Sequence, residues 1–99
     1  MKKNYLGLVE VISDGEVVNF EIVESKEELL DFLTGSISDY SFETDCFEML
    51  DDEAKEEVEE IYNKLVSKVI VWTIKNNKRY AKYQYVEDEI VVNFYKLAY

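Results

Sequence analysis

The sequence predicts an α+β domain in which two helices pack on one face of a mainly antiparallel sheet, in the order ββ-α-α-βββ. Three observations predict it. Val18, Phe20 and Ile22 alternate with Asn19 and Glu21, the two-residue period of a strand with one face on the core and one in water. Phe47, Leu50, Ala54, Val58, Ile61 and Leu65 recur at spacings of 3, 4, 4, 3 and 4, which places them on one stripe of a helix. The last third is rich in Val, Ile and Tyr and is cut by two polar turns, the pattern of a meander.

The 99 residues make a single domain, 1–99. A chain of this length buries roughly 60 to 70% of its unfolded surface, enough for one core without staples. Its 47% hydrophobic and 14% aromatic content can offset the ordering entropy, so a folded globule is expected rather than a disordered chain.

Taken in order, Tyr5 to Ile12 reads as a strand, and Asp14-Gly15 is a strong hairpin signal leading into a second strand, Val17 to Val23. Ser25 opens a helix as N-cap, with Glu28 completing a Ser-x-x-Glu capping box. Leu29, Leu30 and Leu33 give that helix its apolar side, and Gly35 is expected to end it in a left-handed conformation. Residues 36–45 read as an ordered connection, because Ile37, Tyr40 and Phe42 are too apolar for an idle loop. Asp45-x-x-Glu48 is a second capping pattern, so the long helix is expected to begin at Asp45; a restart at Asp51 or Asp52 would divide it into a short and a long piece. Val69 to Lys75 is apolar on both faces and is therefore expected at the centre of the sheet or beneath a helix. Asn76-Asn77 turns into Arg79 to Val86, and Glu87-Asp88-Glu89 turns into Ile90 to Leu97.

The chemistry this composition supports is narrow. Without histidine the chain lacks the commonest general acid–base residue. Cys46 is the one cysteine, so no intramolecular disulfide forms, and a buried, inert thiol is expected. No stretch has the acid and glycine spacing of an EF-hand, and Glu53-Ala-Lys55, half of a nuclease motif, falls in a helical pattern rather than on a strand. No catalytic residue, metal or cofactor is expected, and the chain reads as non-enzymatic. No apolar run approaches the roughly 18 residues of a membrane span, and Met1-Lys2-Lys3-Asn4 lacks the apolar stretch of a signal peptide, so an intracellular protein is expected. Abundant Lys and Glu with a single glutamine follow the trend of hyperthermophile proteins, although six asparagines run against it.

Charge carries the functional reading. The formal net charge is −11, yet residues 39–60 hold eleven acids and one lysine, whereas residues 61–99 are net basic. Asp39, Glu43, Asp45, Asp51, Asp52, Glu53, Glu56, Glu57, Glu59 and Glu60 are the candidate partner-binding residues. Such a face can be merely solvated. However, like charges four apart, Glu53–Glu57 and Glu56–Glu60, each cost a few tenths of a kcal/mol, which points to a cationic partner; nucleic acid would be repelled. Lys75, Lys78, Arg79 and Lys82 surround the Asn76-Asn77 turn near Tyr80, Tyr83 and Tyr85. That grouping can stack single-stranded nucleic acid, protect an edge strand, or meet the acidic helix of a second copy in a homodimer.

The run Tyr83-Gln-Tyr-Val-Glu-Asp-Glu-Ile-Val-Val92, with the length and the Tyr-, Glu- and Val-rich composition, resembles small orphan proteins of the filamentous and rod-shaped viruses that infect hot-spring archaea. It is similar to the viral inhibitors of type I-D CRISPR systems, in which tyrosines, an acidic turn and an apolar strand follow one another. Those inhibitors are small acidic α+β proteins that bind the large effector subunit. The expectation is a viral interaction protein in the host-cell cytoplasm whose segment 39–60 binds a basic, nucleic-acid-handling host protein, with buried anchors near Tyr40, Phe42 or Phe47. A structural or assembly protein that self-associates is the second expectation.

Overall fold

The computed structural model describes residues 7–98; Met1 to Asn4, and Tyr5 and Leu6 of the expected first strand, lie outside the described residues. The elements are β1 (Gly7–Ser13), β2 (Glu16–Val23), α1 (Lys26–Ser36), a short 3-10 turn (Phe47–Met49), α2 (Asp52–Leu65), β3 (Val69–Lys75), β4 (Lys78–Glu87) and β5 (Ile90–Ala98). The strands form one antiparallel sheet in the order β2-β1-β5-β4-β3, and both helices lie on one face of it, as the sequence predicts.

The turns follow from residues that tolerate positive φ. Asp14 and Gly15 (φ 52° and 81°) and Asn76 and Asn77 (φ 51° and 63°) are left-handed at both central positions, which matches the twist of the flanking strands. β5 then inserts between β1 and β4 and joins the N-terminal hairpin to the C-terminal meander. Its register sets Phe94 opposite Val9 and Tyr83, and Val92 opposite Val11 and Tyr85. Tyr83 stacks on Phe94 with ring centroids 6.0 Å apart. Leu29, Leu30 and Leu33 of α1 and Ala54, Val58, Ile61 and Leu65 of α2 close over this row.

Ser25 caps α1 as expected, its Oγ accepting from the Glu28 N–H at 3.2 Å. Glu28 reaches back to the Glu24 N–H at 3.3 Å, one residue before the cap. Gly35 does not end the helix in a left-handed turn; it lies inside α1, whose C-cap is Ile37. Its role is close approach, since a Cβ there would lie 2.8 Å from the Asp45 Cβ. The helix expected from Asp45 is divided. Phe47–Met49 forms the short turn with no side-chain cap, Leu50 is extended, and Asp51 caps α2 by accepting from the Ala54 N–H at 2.9 Å. The apolar stripe survives the break, because Phe47 and Leu50 still reach the core.

Two expectations about the strands are corrected. The alternation in β2 is real, but Asn19 and Glu21 stand on the helix side, in register with Val11 and Val9, while Phe20 and Ile22 stand on the opposite face and are each 53% exposed. Asn19 is held on the helix side by donating to the Ser36 Oγ at 2.7 Å. β3 is neither central nor covered by a helix. It is an edge strand, with Ile70, Val71, Trp72 and Ile74 exposed and the Arg79 guanidinium 4.7 Å from the Trp72 ring centroid. Of the basic residues around the turn, Arg79 stacks on Trp72 and Lys75 and Lys82 on Tyr95, whereas Tyr83 and Tyr85 pack toward the helices.

Leu65 is fully buried at the end of α2. Leu65→Ala is expected to cost about 2 to 5 kcal/mol in chemical unfolding; a change below about 0.5 kcal/mol would remove Leu65 from the core.

Candidate functional site

The acidic segment divides between α2 and the connection that precedes it. Asp52 and Glu53 occupy the first turn of α2, where negative charge complements the helix N-terminus, and Glu56, Glu59 and Glu60 stand exposed along its outer side. Asp52, Glu56, Glu59 and Glu60 border a shallow hollow of about 460 Å³ with Lys55 and Asn63. Asp51 has a structural duty as the α2 cap.

The connection folds back on the helix through its own turns. Ser38 donates through Oγ to the Thr34 carbonyl at 2.9 Å and accepts from the Tyr40 N–H at 3.1 Å, and the Glu43 N–H donates to the Tyr40 carbonyl at 3.0 Å. This carries Asp39 to Glu57 and seats Tyr40 among carboxylates. Partial burial, then Glu53, Glu57, Asp51 and Asp39, raises the Tyr40 phenol above its ordinary value. Glu57 is raised as well, by partial burial first and then by the Asp39 charge, with the Asp39 side chain adding to the rise and the Asp39 backbone N–H opposing it. Lys55 pairs with Glu48 at 3.7 Å and Lys64 with Glu60 at 3.3 Å.

Not all the candidate residues meet. Glu43 borders a separate hollow beside Thr44, Met49 and Asp51. Asp45 parts from the α2 acids and lines a hollow of about 370 Å³ with Asn19, Glu21, Asp31 and Cys46. There Glu21 is raised by partial burial and by Glu28, Asp31 and Asp45. Asp31 anchors the short turn by accepting from the Phe47 N–H at 2.8 Å, a contact across sixteen residues that no local pattern announces. Cys46 is half-buried rather than buried. Of the three expected anchors, Phe42 is 98% exposed, Tyr40 is half-buried and Phe47 is committed to the core.

The sequence grouped Tyr85 with the basic turn and Glu87 with the β4–β5 turn, and gave no sign that both lie beside the acidic helix. The Tyr85 phenol donates to Glu87 Oε2 at 2.6 Å, and burial together with that carboxylate pushes it up to about 12. Both border the groove that Asp39, Glu57 and Glu60 share with Lys64. Among the described residues no three acidic or cysteine side chains are grouped to hold a metal ion, and no helix is long and apolar enough to cross a membrane. Compared with protein-family models, with curated proteins and with solved structures, the chain matches none of them.

Because folding disfavours the ionised form of Glu57, the folded chain holds that proton to higher pH than the unfolded one. The resulting penalty is complete above the raised value and fades as pH falls toward the ordinary 4.5. Glu57→Gln is therefore expected to raise stability at pH 7 by less than about 1 kcal/mol, since the group is largely solvated. Urea unfolding at several pH values checks this: the gain should shrink on acidification, and a loss of stability at pH 7 would contradict the crowded-carboxylate reading.

Proposed function

We propose that the chain is a non-enzymatic interaction protein of a virus of hot-spring archaea, whose acidic segment 39–60 binds a basic, nucleic-acid-handling host protein in the host cytoplasm and inhibits it. The observation that carries this reading is the crowding of Asp39, Asp51, Glu53 and Glu57 around Tyr40, beside the exposed carboxylates of α2. With a single lysine in 39–60, most of those carboxylates lack a countercharge within the segment. Glu57 bears a cost in the free protein that a cationic partner would relieve. A host surface built for phosphates presents the Lys and Arg that such a face attracts. Exposed Phe42, on the same connection, supplies the apolar anchor that electrostatic steering alone does not provide.

Reversing Glu56, Glu57, Glu59 and Glu60 to Lys, each adding two positive charges, moves the local net charge from −10 to −2. The fold should persist, with stability shifted by less than about 1 kcal/mol. Wild type immobilised in lysate of an archaeal host should retain nucleic-acid-handling proteins at low salt and lose them as salt rises. The reversed variant should associate with the captured protein at least about tenfold more slowly and with a flatter salt dependence. Equal rates and equal salt slopes would overturn the proposal.

A further inference from the structure

The face of the sheet opposite the helices has a defined pattern. The register places Ile22, Leu8, Tyr95, Lys82 and Val71 in one row across all five strands, and Val17, Ile12, Val91 and Val86 in another. Between them runs a polar row from Glu10 through Asn93 to Gln84, beginning beside Phe20. Gln84 Nε2 donates to Asn93 Oδ1 at 2.9 Å, and Asn93 Nδ2 donates to Glu10 Oε2 at 3.0 Å. The polar groups in the middle of this face thus bond to one another, which satisfies Asn93 within the face and leaves the Glu10 carboxylate to be met by a countercharge when the face is covered. Val17, Phe20, Ile22, Val71 and Val86 are each about half exposed.

We infer that this face is a self-complementary interface, and that two copies of the chain pack sheet against sheet through it. Size is the first argument. Strands about 4.8 Å apart and roughly seven residues long give five strands a face of roughly 600 Å² in outline. Its side-chain relief brings it toward the roughly 800 Å² per partner of a stable interface.

Charge is the second argument. A chain of net charge −11 resists self-association unless its acids are kept apart. Packing through the sheets does so, because the acidic side of α2 lies beyond the core on the other side of the molecule. With a shortest dimension of 22 Å, two stacked copies hold their acidic surfaces on the order of 40 Å apart, several Debye lengths of about 8 Å. The face itself carries both signs. β5 is the middle strand of five, so a two-fold axis along it lays β4 of one copy over β1 of the other. Lys82 then meets the Leu8 and Glu10 stretch of the second copy, and the symmetric contact repeats it.

Sedimentation equilibrium of the full chain tests this. Wild type should show twice the 11.7 kDa monomer mass. The double variant Phe20→Lys, Val86→Lys changes two exposed residues near opposite margins of the face; it should keep the wild-type circular dichroism spectrum and weaken dimerisation by about a hundredfold or more. The α2 charge-reversed variant should remain dimeric, which separates this inference from the host-binding proposal. A wild type that stays monomeric would overturn the inference, including one that binds an oligonucleotide or another protein through this face. A dimer unaffected by the double variant would overturn it equally.

Discussion

Two helices of eleven and fourteen residues cannot cover a five-stranded sheet on both sides, and the rest of the molecule follows from where they are used. α1 and α2 close over β2, β1, β5 and β4, where Val9, Val11, Phe94 and Val92 form the centre of the core. β2 and β3 are left as edges and the opposite face is left open. A chain of this size has a limited apolar interior to divide among its elements. Apart from Phe42 on the connection, its exposed valines, isoleucines and aromatics are consequently concentrated on the edge strands and the open face. Grouped apolar surface of that kind marks a site of association more often than an idle surface.

The same division sorts the charge. Carboxylates are cheapest where water is abundant and where a helix N-terminus favours them, so the outer side and first turn of α2 take the largest share. The connection before α2 then brings more carboxylates to an already acidic helix. Glu57 and Tyr40 register the result, each shifted away from its charged form. Crowding of this sort is tolerated in the free protein at a modest cost that an incoming cation would relieve, and this is the physical basis of the proposed preference for basic partners.

The legible parts of the sequence were those governed by local rules. The three hairpin turns, the Ser25 cap and the α2 stripe depend on residues within a few positions of one another, and all are present. A two-residue period shows that β2 has an apolar side, but not which side meets the helices. That depends on α1, where Ser36 and the nearby acids give Asn19 and Glu21 a polar setting. For β3, apolar content on both faces suggested burial; an edge strand on an open sheet satisfies the same pattern by exposing both. The acids of the candidate site were visible as composition. Their meeting was not, since Asp39 reaches Glu57 only through the turns around Ser38 and Tyr40, and Asp31 holds Phe47 from across the fold. Long-range contacts of this kind leave no mark in a short window of sequence.

The two proposed contacts respond to salt in opposite senses, and this follows from the layering alone. Binding through the acidic side of α2 joins unlike charges, so added salt screens the attraction and slows encounter. Association through the open sheet joins two molecules of like net charge across an apolar face. There, added salt screens the residual repulsion while leaving the burial of Phe20, Ile22 and Val86 largely intact. A chain with its acids mixed among its apolar surface would have both contacts weakened or strengthened together. Here they are separated by a helix layer and a sheet, so each can be occupied while the other is filled, and a dimer would present two acidic faces outward at once.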